Sequence, residues 1–214
     1  MATRTITENV NQAVQDFDNI KQAIIDKGIE VPAGTPTSEY ANKIETIKSG
    51  GWDTSCITNF KSFFSLNKNI TSEDLTGLNT SNGTNFNQMF KDCKSLTTIP
   101  QLDTSSGDDF SLMFLGCTSL KTIELTSFIS SYNMFSNCQA LENLTVTGTI
   151  TVNDSNLDLS SSPLLTVDSL MSVINALADN TGKTTYTVTL GSTNLAKLTD
   201  EQKQIAINKN YTLV

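Results

Sequence analysis

The sequence predicts an α+β fold in three parts. An N-terminal helical, coiled-coil-like segment (1–50) precedes a short leucine-rich-repeat solenoid (52–160). An α/β C-terminal cap of strand-helix-strand type (161–214) closes it. Three observations carry this. Met89, Phe90, Cys93, Leu96 and Ile99 recur as Met113, Phe114, Cys117, Leu120 and Ile123, and again as Met134, Phe135, Cys138, Leu141 and Leu144. The Met-to-Met steps are 24 and 21 residues, within the range of leucine-rich solenoids. Ahead of the repeats runs a heptad of apolar residues, and behind them helix and strand patterns alternate.

In the first part, Ile6, Val10, Ala13, Phe17, Ile20 and Ile24 advance by alternating fours and threes, which places Val10, Phe17 and Ile24 at a and the others at d. Thr5 with Glu8 forms a capping-box start, and Gly28 is the stop. Asp16 and Lys21 fall at g and the following e, where a parallel coil pairs them across chains. Two packings compete. The stripe packs between chains, where the Ile-rich seam with its bulky Phe17 leans towards a trimer, or it packs on the chain's own next helix, as Val14 and Ile25 suggest by widening the face. Homo-oligomerisation is the expectation. Pro32, Gly34 and Pro36 then make an extended turn. A second short helix follows over 37–48, and Ser49, Gly50 and Gly51 form a hinge.

In the second part the repeat extends beyond its core motif. Leu78 and Leu102 lie eleven residues ahead of their methionines, and Phe86 and Phe110 lie three ahead. An irregular earlier coil reads at Phe63, Phe64, Asn67 and Ile70, with Asn67 in the Cys position. Each coil should supply a strand, around 96–99, 120–125 and 141–146, and a helical or turn segment around Met-Phe. No coil buries its apolar side alone, so the coils must stack.

In the third part, Thr166 should cap a helix from Val167 to about Ala178, with Val167, Leu170, Met171, Ile174 and Leu177 on its apolar face. Asn180, Thr181 and Gly182 end it. A half-exposed strand with Tyr186, Val188 and Leu190 inward follows, then a helix capped by Thr199 and Gln202, then a final strand from Tyr211.

Composition narrows function. Asp and Glu outnumber Lys and Arg by 22 to 14, so a nucleic acid partner is not expected. No apolar run reaches the roughly 18 residues that span a bilayer, so no membrane insertion is expected, and the N-terminus lacks a signal-peptide core. Histidine is absent, which removes the Ser-His and Cys-His nucleophile pairs. The expectation is a protein that is not an enzyme and needs no cofactor or metal. Cys93, Cys117 and Cys138 read as stacked buried thiols.

The Met-Phe-x-x-Cys-x-Ser-Leu-x-x-Ile pattern resembles the BspA-type leucine-rich repeats of bacterial surface proteins and phage proteins. Residues 20–28, with Val31, Pro32, Gly34, Thr35, Pro36, Tyr40 and Ala41, are similar to a segment that opens tail, baseplate and fibre proteins of phages of low-GC Gram-positive bacteria. Residues 190–201 look like the ending of such proteins. The resemblance implies a virion component, made in the host cytoplasm, that meets other virion proteins through its N-terminal segment and displays its repeat. The alternative is a bacterial cell-associated repeat protein that binds a protein or glycan partner.

Candidate binding residues are the outward strand positions: Thr98 and Pro100, Thr122 and Glu124, Asn143 and Thr145. Their hydroxyl and amide groups suit a host-surface glycan or protein, although solvated strand faces are polar in any case. Trp52, Tyr132 and Tyr186 are the available stacking platforms for a sugar. Asp103, Asp108 and Asp109 crowd one loop. Their oxygens could suit calcium, but they match no calcium loop, and turns favour Asp, Ser and Gly anyway. The same carboxylates lack a cleft that would make one of them a glycosidase acid.

Overall fold

The computed structural model describes residues 54–214. The heptad positions Ile6 to Ile24, the hinge and Trp52 lie outside the described residues.

From Thr54 to Val146 the chain runs as stacked coils, and the turn segments around Met-Phe hold the stack together. Phe60, Ser62, Phe64 and Leu66 donate their N–H groups to the carbonyls of Asn85, Asn87, Met89 and Lys91 on the next coil, at 2.7–2.9 Å. Between them, Phe63, Ser65 and Asn67 donate to Phe60, Ser62 and Phe64 within the same coil. Donors therefore alternate between the next coil and the coil's own turns, which leaves none of this run's N–H groups unspent. The pattern repeats from Phe86, Gln88, Phe90 and Asp92 to Asp109, Ser111, Met113 and Leu115. It repeats again from Leu112, Phe114 and Gly116 to Tyr132, Met134 and Ser136.

The geometry requires left-handed backbone at two fixed places per coil: Ser62 and Leu66, Gln88 and Asp92, Leu112 and Gly116, Asn133 and Asn137. A left-handed residue other than glycine costs about 1–2 kcal/mol, and the ladder and the packed interior must offset it. Asn59, Asn85 and Asp109 start the turns by accepting the N–H groups of Lys61, Asn87 and Ser111.

Inside the stack, phenylalanines form two columns. Phe60, Phe86 and Phe110 stack at centroid distances of 5.6 and 5.3 Å. Phe64, Phe90, Phe114 and Phe135 stack at 5.3, 5.8 and 5.6 Å. Phe128 joins the columns edge-on, 6.3 Å from Phe110 and 6.0 Å from Phe135. Gly83 and Gly107 precede the first column's rings because a Cβ at either place would run into Phe86 or Phe110. The Met, Phe, Cys and Leu positions of the three regular coils are all buried.

β1 (Thr122–Leu125) pairs in parallel with β3 (Asn143–Val146), with Thr122 opposite Asn143 and Glu124 opposite Thr145. The strand expected over 96–99 is reduced to a bridge between Thr98 and Thr122. Pro100 has no N–H to continue the ladder. β2 (Phe128–Ile129) pairs with β4 (Ile150–Thr151). β5 (Leu157–Asp158), β6 (Tyr186–Thr189) and β7 (Tyr211–Leu213) make a parallel three-stranded sheet in that order.

α1 (Val167–Ala176) starts at the expected Thr166 cap. It ends at Ala176, before the expected 178, because Leu177 bridges to Ile150. Its buried face is Leu170, Val173 and Ile174; Val167, expected on that face, is exposed in the first turn. α2 (Ser192–Leu195) is a single turn absent from the sequence reading. α3 (Asp200–Asn208) begins at the Thr199–Gln202 capping box. Just after it, Lys209 Nζ donates to the carbonyls of Ile174, Asn175 and Leu177 at 2.7–3.3 Å, taking up the orphan acceptors at the end of α1.

The edge of β3 is closed by serines of α1. Ser169 Oγ accepts the Leu144 N–H at 3.0 Å, and Ser172 Oγ accepts the Val146 N–H at 2.9 Å. A helix thus covers a strand edge that would otherwise invite pairing. Ser169→Ala should cost about 1–3 kcal/mol, since Leu144 is fully buried and its N–H would lose its acceptor. A lowered urea midpoint with unchanged slope would show it.

Candidate functional site

Outward strand positions form two rows. The bridge from Thr98 to Thr122 and the pairing of Thr122 with Asn143 place these three side by side. Glu124 and Thr145 pair in the second row. All five candidates therefore share one strand face: Thr98, Asn143 and Thr145 are exposed, and Thr122 and Glu124 half-buried. Lys121 and Glu142 flank the rows with an ion pair of 3.9 Å. Both side chains are well exposed, so the pair contributes about 0–1 kcal/mol. Behind the face, Ser72 Oγ donates to the Thr98 carbonyl at 2.7 Å, fixing the backbone of the first row to the preceding coil. The face presents neutral hydroxyl and amide groups with one carboxylate, suited to hydrogen bonding.

The acidic loop is used by the fold. Asp103 Oδ1 accepts from the Ser105 N–H and hydroxyl at 3.1 and 2.6 Å and from the Thr126 hydroxyl at 3.2 Å. These bonds, the Ser105 hydroxyl foremost, hold the Asp103 carboxyl below its ordinary range. Asp109 caps its turn, and Asp108 is exposed. Among the described residues, no group of three or more His, Cys, Asp or Glu is placed to hold a metal ion.

The cysteines form a ladder of thiols. Cys93, Cys117 and Cys138 Sγ donate to the carbonyls of Phe64, Phe90 and Phe114 on the preceding coil at 3.0, 3.0 and 3.2 Å. Ser162 extends the column by donating to the Cys138 carbonyl at 3.0 Å. Burial pushes the Cys93 and Cys138 thiols up to about 12 and raises Cys117 as well. All four cysteines are free, and Cys56 is the exposed one. Iodoacetamide at neutral pH should label one thiol per native chain and four after unfolding. More than one label on the folded chain, read by mass spectrometry, would contradict the buried ladder.

The sequence reading missed three features. Ser169 and Ser172 sit three apart on a helix, a spacing that places both on one face. The left-handed pairs carry no signal at Gln88 or Leu112, which are not turn-forming residues. The third is an opening at the end of the turn ladder, beside Tyr132.

Residues 37–147, just over half of the chain, match the family described as "Mycoplasma protein of unknown function, DUF285". The chain belongs to the DUF285 family. The DUF285 match takes in the turn ladders, the phenylalanine columns and the strand rows, and it ends just after β3. The C-terminal sheet and α1 to α3 lie beyond it. No curated protein and no solved structure matches the chain.

Proposed function

We propose that this chain is a non-enzymatic structural and binding module of a phage virion. In this reading it is a fibre or baseplate appendage in which an oligomeric, trimeric N-terminal segment carries a displayed leucine-rich-repeat solenoid, and the strand face meets a host-surface glycan or protein. The observation that carries the binding part is the division of labour in the coils. Buried positions repeat in kind, whereas the outward positions are polar and change type at Asn143 in the first row, after Thr98 and Thr122, and between Glu124 and Thr145 in the second. A surface that varies over a constant interior is how stacked coils recognise partners. The virion part is supported by the resemblance of residues 20–41 and 190–201 to phage structural proteins.

The DUF285 description names a bacterial genus, which favours a second reading: a bacterial cell-associated protein binding a protein or glycan. A mass-spectrometric census of purified virions against host cell fractions separates the two. Stoichiometric presence in virions supports the first reading, and confinement to cells overturns it. Light scattering of the full-length protein at micromolar concentration tests the assembly; a monomer would count against it.

A further inference from the structure

The turn ladder ends abruptly, and what its last turn leaves open is chiefly a row of backbone donors. Between successive described coils, alternate N–H groups of this segment donate to the carbonyls of the same segment in the next coil. In the last turn the carbonyls of Tyr132, Met134 and Ser136 are taken by Leu112, Phe114 and Gly116. The matching donors, Asn133, Phe135 and Asn137, make no hydrogen bond among the described residues. The chain that would have covered them turns away at Asn156, a left-handed residue. There Asn156 Oδ1 accepts the Thr187 N–H at 3.1 Å, and β5 pairs with β6.

The result is a polar groove of about 250 Å³, lined by Tyr132, Asn133, Phe135, Ser155, Asn156 and Asp158 among others. Tyr132 stands on its rim, 63% exposed, the most exposed of the large hydrophobic side chains among the described residues. The side chains of Tyr132, Asn133 and Ser155 have no hydrogen-bond partner among the described residues. Asp158 spends one oxygen on Ser160, which leaves the other.

We infer that this groove binds a single neutral sugar ring, with Tyr132 as its stacking platform. A row of donors without intervening acceptors selects a ligand rich in acceptor oxygens. An extended peptide needs donors and acceptors in alternation, as in strand addition, and meets only half of that here. An anion would suit the donors, but no Lys or Arg lines the groove, Asp158 does, and the chain carries a net charge of −8. A sugar fits all three features. Its oxygens accept from the Asn133 and Phe135 N–H groups, its hydroxyls donate to Asp158 and the Asn133 amide, and its apolar face lies on the tyrosine ring. The volume is below the roughly 300–1,000 Å³ of drug-sized sites, which sizes it for one ring of a longer glycan. The site is separate from the strand face, and it stands or falls apart from the virion reading.

The test is amide chemical-shift mapping on the full-length chain with glucose, galactose, rhamnose and N-acetylglucosamine, and with inorganic phosphate and a tetra-alanine peptide as competitors for the assignment. At about 50 mM probe, well above a millimolar Kd, at least one sugar should shift the Asn133, Phe135 and Asn137 amides. Tyr132→Ala should weaken that sugar by about fivefold to tenfold, the scale of one aromatic contact. Asn133→Gly, which keeps the left-handed backbone, should weaken it as well. No shift with any sugar, stronger binding of phosphate or peptide, shifts centred on Thr98 and Asn143, or an unchanged affinity in Tyr132→Ala would each overturn the inference.

Discussion

Phe114→Ala should be the most damaging single truncation in the described residues, lowering stability by about 3–5 kcal/mol. Phe114 is fully buried and stacks on Phe90 from one coil and Phe135 from the next. Its removal opens a void that two coils border, and neither can collapse into it without breaking its backbone ladder. A domain of this size holds about 5–15 kcal/mol in total, so the variant should be partly unfolded at 37 °C. Leu164→Ala, at a side chain 53% exposed, is the matched control and should stay within about 0.5 kcal/mol. Urea midpoints of the two variants give the comparison. A Phe114→Ala loss below that of the control would mean the column does not bear on stability.

Alkali should unfold this protein earlier than its other groups would suggest. Burial raises Cys93 and Cys138 from 9.0 to about 12, and raises Cys117 too. The sign follows from linkage. The folded state holds these protons more tightly than the unfolded chain, so stability is intact below the unfolded thiol pKa of about 9 and is lost as pH rises towards the folded values. Each thiol costs up to about 1.4 kcal/mol per pH unit in that window, and three together cost about 4 kcal/mol. Against about 5–15 kcal/mol of stability, unfolding should centre near pH 10 to 12. Cys117→Ala should lower stability at pH 7 yet make its loss above about pH 9 less steep, because one linked proton is gone. Urea unfolding followed by circular dichroism across that range reads both effects, and a pH dependence as steep in Cys117→Ala as in the parent chain would refute the linkage.

How much of this was legible beforehand depended on whether a residue's role lies in its type or in its backbone. Met89, Phe90, Cys93 and Leu96 announce burial by chemistry and by recurrence, and they are buried. Thr166 and the Thr199–Gln202 pair announce helix starts by a spacing with a mechanism, and both caps form. Gln88 and Leu112 are left-handed only because the neighbouring coil's carbonyls lie where the ladder needs them. Ser169 reads as a polar interruption of an apolar face until the strand edge it serves is in place. Tyr132 was visible as a platform, but the donors beside it were not, because a ladder's end cannot be seen from one repeat. The five outward strand residues were named by their alternation, and alternation alone puts them on one face.

The turn ladders leave the chain free to change length elsewhere. They pair residues by their place around the coil, and the distance along the sequence between partners is 25 from Ser62 to Asn87, 23 from Gln88 to Ser111 and 20 from Leu112 to Tyr132. The longest of these coils houses its extra residues in a turn of 3₁₀ helix at Glu73–Leu75, outside the ladder, and seals it with a single buried leucine. A scaffold that pairs by place around the coil, along the turn ladder and again along the strands, tolerates insertion and deletion in the segments between them without losing register. Gene copies of such a coil could drift in length and surface together, so that a lineage can reshape what the protein touches while its interior stays as it was.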